Sequence, residues 1–246
     1  MFFSACYARL GTNLSRNRLQ LLTSCQIDKE TCYNWGIQLS KQNELLYEIP
    51  TVKPILDRLI SEPEFMIGML HHNSLITGIT KFTSSLEYYL NDIVTLCMER
   101  NYSLLKKGLK DIQMNPFDIV DMDNLLKIRY KYIDIIAQEK CKGELWSKKL
   151  KRVCMFLNLS NKYYSDKINN TVDSIWEMRN IIAHGDSSIL SFLDDGILLE
   201  HTEESNKEVY MDFIVHFIKI ADKINELLLK FDKEALKKWP AKDFRR

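Results

Sequence analysis

Seven apolar residues, Leu75, Ile79, Phe82, Leu86, Leu90, Ile93 and Cys97, follow one another at steps of three or four. That spacing returns each side chain to the same side of an α-helix, whereas a half-buried strand requires alternation by two. It predicts one long helix with a single buried stripe. A second stripe, Val209, Phe213, Phe217, Ile220, Ile224, Leu227 and Phe231, predicts another helix over 208–233. Shorter runs predict helices over 3–22, 29–48, 118–138, 145–157 and 165–183, the last closed by Gly185. With only 8 Gly and 5 Pro in 246 residues, little interrupts this plan, and the fold class is all-α.

Three of the five prolines, Pro50, Pro54 and Pro63, fall in one short window, which divides the chain. Residues 1–50 read as an N-terminal helical appendage, 51–65 as a proline-containing hinge, 66–236 as the main helical domain and 237–246 as a basic C-terminal tail. One segment departs from the helical plan: residues 188–201 place two apolar runs around Asp195-Gly196, a dipeptide suited to a tight turn, and predict a small hairpin or ordered loop before the last helix.

The six cysteines lack C-x-x-C spacing or a neighbouring histidine cluster, and read as free thiols. The opening residues lack the pattern of a secretory signal, and no apolar run reaches the length of a membrane span. A cytoplasmic protein without membrane contact is the expectation.

Net charge is +1, which excludes a global field drawing the chain to a polyanion, yet the charge is unevenly placed. Residues 127–167 carry eleven basic against four acidic side chains, and residues 186–212 carry eight acidic against one lysine. Either these are two solvated faces, or the first is a strip that holds RNA, with Lys148, Lys149, Lys151 and Arg152 as its centre and paired tyrosines available for base stacking.

Familiar catalytic patterns are missing. The sequence has no phosphate-cradling glycine loop and no G-x-S-x-G elbow, and His71-His72 has no partner at metal-ligand spacing, so neither a cofactor nor a metal is expected. The exception is SIWEMRNIIAHGD, residues 174–186, where the apolar stripe Ile168, Val172, Ile175, Ile182 is interrupted by Arg179. A guanidinium remains charged at ordinary pH, so an arginine in this phase must meet an anion inside the protein, reach an interface or line a cleft. Glu87 on the first core helix is the ready internal partner. The other outcome is a phosphate-handling site: Asn180 and His184 lie four apart beside Arg179, where arginine can stabilise phosphorane charge and histidine can move a proton.

The stretch WEMRNIIAHG resembles the signature of the HEPN domain family, all-helical proteins whose final core helix carries R-x(4–6)-H with a polar residue favoured after the arginine. The resemblance implies a HEPN-like helical bundle over 66–236, with Arg179 and His184 catalytic, Asn180 supporting, and Glu87 matching an acidic residue found on the first core helix of several HEPN types. It further implies a metal-independent endoribonuclease that cuts single-stranded RNA at a site shared across a homodimer, in a toxin–antitoxin or antiviral defence system with a cognate antitoxin or regulatory protein. The alternative within the family is a non-catalytic RNA-binding or dimerisation module. HEPN toxins controlled by adenylylation carry a tyrosine two residues after the histidine, and this chain has Asp186 there.

Overall fold

A computed structural model describes residues 4–24, 26–42, 53–110, 112–113, 125–143, 145–164, 167–183 and 203–241. Among them the architecture is all-α, without strands. In chain order the helices are α1 (Ala5–Ser24), α2 (Lys29–Gln42), α3 (Lys53–Ser61), α4 (Pro63–Arg100), α5 (Tyr102–Leu109), α6 (Leu125–Cys141), α7 (Trp146–Leu157), α8 (Lys167–Ala183) and α9 (Glu203–Lys238), with a short 3-10 turn at Asn161–Tyr163. The expected hairpin at 188–201 lies outside the described residues, as do Gly185 and residues 242–246 of the tail.

The long stripe behaves as its spacing requires: all seven residues from Leu75 to Cys97 are buried. The helix that carries them begins twelve residues earlier, at Pro63, so His71-His72 lies within it and not at its head. The proline window is correspondingly more helical than a hinge. Pro63 opens α4 and Pro54 is the second residue of α3, positions where the missing N–H would have had no intrahelical acceptor and the fixed φ suits a helix start.

The chain forms two compact units. The first comprises Met1–Leu14, Phe82–Asn180 and Ile220–Arg246, and the second Ser15–Lys81 and Ile181–Lys219. The described residues of the first fourteen therefore belong to the same unit as the core of α4 and the end of α9, rather than forming an appendage. Their tether is Asp232, a fully buried carboxylate on α9 that accepts the Ser4 backbone N–H at 3.1 Å and the Ser4 hydroxyl. Tyr7 reinforces it by donating its hydroxyl to the Asn225 side-chain oxygen at 3.0 Å. Asp232 has a short polar neighbour because a buried charge without hydrogen bonds would be strongly unfavourable.

In the same unit α5 packs on α6 and α6 on α7. The approach of α5 depends on Gly108: a Cβ there would stand 2.9 Å from the Ile136 side chain. Asn101 caps α5 by accepting the Ser103 N–H at 3.0 Å. Asn158 closes α7 in the left-handed region, φ 54°, which asparagine tolerates better than most residues. In the second unit, α2 packs on α3. The buried Asn17 side chain donates to the Gly78 carbonyl at 2.9 Å, and the buried His71 ring meets the Ser24 carbonyl at 3.0 Å through Nε2. His71 is thus a satisfied core histidine.

Candidate functional site

Helix α8 supplies Arg179 and Asn180 in its last turns. The helix is seated by its apolar side: Val172, Ile175 and Trp176 are buried, and the Asn169 side chain, fully buried, accepts the Trp146 indole N–H at 2.8 Å. Trp176 stacks on Trp146 with ring centres 6.1 Å apart. One turn beyond this anchored pair the stripe reaches Arg179, which is half-buried, as is Asn180.

The Arg179 guanidinium donates to the Asn180 side-chain oxygen at 3.2 Å, and among the described residues it forms no ion pair. Its internal candidate partner is taken. Glu87 accepts instead from the Lys149 ammonium, which reaches it from α7. The same ammonium lies 4.7 Å from the centre of the Trp176 ring, an arrangement in which a cation is held by the ring's negative face. The lysine side chain is 5% exposed and that of Glu87 42%, so the pair runs from the interior to the surface.

Of the four residues expected to form a basic strip, three lie together and one does not. Lys148, Lys151 and Arg152 are exposed on the outer side of α7. Lys149 points inward with Trp146, Leu150 and Val153 and is a core residue, because the Glu87 carboxylate and the Trp176 face satisfy its charge. The signal was present in the sequence: Lys149 occupies the apolar phase of α7 just as Arg179 does that of α8.

His184 lies outside the described residues, one position past the end of α8. The tyrosine pairs divide, with Tyr88 and Tyr130 exposed and Tyr89, Tyr132 and Tyr163 buried. Burial also raises several thiols and phenols of this unit. It pushes the Cys97, Cys141 and Cys154 thiols up to about 12 and Tyr163, which also donates to Glu234 at 2.8 Å, to about 12. Glu234 is held below its usual range first by the hydrogen bond from Lys162, at 2.9 Å. The described cysteines are free. Among the described residues no group of three or more His, Cys, Asp or Glu side chains is placed to hold a metal ion, and no helix is long and apolar enough to cross a membrane.

No family model matches the chain, and no curated protein or solved structure matches it.

Proposed function

We propose that this chain is a HEPN-like, metal-independent endoribonuclease that cuts single-stranded RNA, acts in the cytoplasm as a homodimer and serves a toxin–antitoxin or antiviral defence system. The observation that carries the reading is the condition of Arg179. It occupies the apolar phase of α8, half-buried, with a neutral amide as its described partner. An arginine so placed retains its capacity for a ligand anion, and its planar donor array suits phosphate oxygens.

In the proposed reaction the ribose 2′-oxygen bonds to the adjacent phosphorus and the P–O5′ bond breaks. The 2′-hydroxyl proton passes to a base and a proton reaches the departing O5′, leaving a 2′,3′-cyclic phosphate and a 5′-hydroxyl end. Arg179 stabilises the charge gathering on the phosphorane oxygens, and Asn180 steadies the guanidinium through the bond it already accepts. His184 exchanges the protons. Base and acid are both needed, and one histidine per chain supplies only one of them. The partner's His184 supplies the other, which is why the reading requires a symmetric dimer.

The test is cleavage of a single-stranded RNA in the presence of a chelator, with product ends identified by mass spectrometry. Cyclic phosphate ends are expected, together with no cutting of a strand that carries 2′-deoxyribose throughout. Cleavage of the deoxy strand, or products with a 5′-phosphate, would remove 2′-hydroxyl attack from consideration.

A further inference from the structure

We propose that the outward side of α5, α6 and α7 is a binding face for single-stranded nucleic acid, built from features separate from the Arg179 site. Among the exposed residues of the three helices six are basic, Lys106, Lys107, Lys127, Lys148, Lys151 and Arg152, and two are acidic, Asp134 and Glu139, a net of +4 in a chain whose total is +1. Neither α5 nor α7 contains an acidic residue. An ordinary solvated helix face intersperses the two signs, because like charges three and four residues apart repel by a few tenths of a kcal/mol. On α7 the residues Lys148, Lys151, Arg152 and Met155 recur at i, i+3, i+4 and i+7 and are all exposed, so three cations share one face with no acid on their own helix to offset them.

The face extends across neighbouring helices that are locked together. Lys107 of α5 donates its ammonium to the Phe156 carbonyl of α7 at 2.8 Å. That ammonium and the one of Lys140 on α6 each lie 5.4 Å from the centre of the Phe156 ring. Two helices thus bring cations to one aromatic residue on the third. Flat surface for bases accompanies the charge: Tyr130 is 56% exposed on α6, one turn from exposed Lys127, and Lys151 lies 5.8 Å from the Tyr164 ring centre. Cations that follow a phosphate chain, interleaved with exposed rings on which unpaired bases stack, are the two components that hold single strands without reading their sequence. An anionic lipid surface would also use the charge. A membrane-lying helix, however, presents its apolar side outward, and the apolar side of α7 is buried.

The experiment is fluorescence anisotropy of the full chain with a fluorescein-labelled deoxythymidine oligomer of about 20 nucleotides, which spans a typical single-strand site and has no 2′-hydroxyl to cut. The triple variant Lys148→Glu/Lys151→Glu/Arg152→Glu is expected to bind at least tenfold more weakly. Its dependence of log K on log salt should be shallower by about 2, the loss of three phosphate contacts at about 0.7 each. Tyr130→Ala should weaken binding by about fivefold or more through lost stacking. A charge-reversal control at the exposed end of α9, Lys237→Glu/Lys238→Glu, should change it by less than about twofold. Should the triple variant fail to fold, the single changes Lys148→Glu and Lys151→Glu read the same way with smaller steps. The proposal is overturned if the triple variant binds like the parent, if the α9 control loses as much, or if the parent ignores the oligomer and binds phosphatidylserine vesicles instead. Because the probe cannot be cut, failure here leaves the cleavage reading intact, and failure of cleavage leaves this face intact.

Discussion

Lys149 holds the carboxylate of Glu87 and rests its ammonium over the Trp176 ring. The lysine side chain is 5% exposed, so that acid and that ring satisfy its charge inside the protein. Lys149→Ala should therefore destabilise the protein by about 1–3 kcal/mol, since it removes a buried cation and its packing on the Trp176 ring while leaving a partly exposed acid that water can solvate. Lys148→Ala, one residue away and exposed, should stay within about 0.5 kcal/mol. Lys149→Met keeps most of the buried stem and should fall between them. Urea melts of the three variants decide this, and equal midpoints for Lys148→Ala and Lys149→Ala would contradict it.

Asp232 connects the start of the chain to its last helix. Asp232→Ala leaves the Ser4 N–H and hydroxyl with no acceptor in a buried setting, and should cost about 1–3 kcal/mol. Ser4→Ala removes one donor and leaves the backbone bond, and should cost less. The readout is the midpoint in thermal unfolding, where about 2–4 °C per kcal/mol is expected for a chain of this size. Deletion of residues 1–4 should lower the midpoint by about as much as Asp232→Ala does. An unchanged midpoint in the truncated chain would mean the tether contributes nothing.

Burial sets the behaviour of the thiols. With Cys97, Cys141 and Cys154 pushed to about 12, all three should resist a disulfide reagent at pH 8 in the native protein and react at once in denaturant. The sign of the stability effect follows. A thiol whose folded value is raised contributes stability in full below its ordinary value near 9.0, and loses it as pH rises toward 12. Glu234 acts in the opposite direction: its carboxylate is held low, so its contribution is complete above 4.5 and disappears as pH falls below that. Unfolding followed from pH 3 to pH 11 should show stability decreasing at both ends. Rapid labelling of the three native thiols at pH 8 would contradict the first part.

The helical stripes were readable because they depend on a single periodicity that packing enforces, and the residues from Leu75 to Cys97 are buried as that periodicity requires. The start of α4 was not readable, because a proline ends a helix in mid-course yet begins one without cost, and the sequence around Pro63 does not distinguish the two. Arg179 stood out as a charge in an apolar phase, whereas Lys149, in the equivalent phase of α7, was counted with the basic residues around it as part of the strip. Composition pointed to a strip of four cations on α7, but helix geometry allows only three of them to face outward. Which acid pairs with which base depends on how separate helices pack, and no local spacing encodes that.

The most direct test compares RNA cleavage rates of the parent protein and Arg179→Ala, in chelator, at matched stability. Loss of a charge that acts mainly on the transition state should lower the rate by about 10²–10³-fold, and a partial return with Arg179→Lys is expected because the charge is restored without the planar donor array. A rate within about twofold of the parent would show that Arg179 is not the group on which the reaction depends.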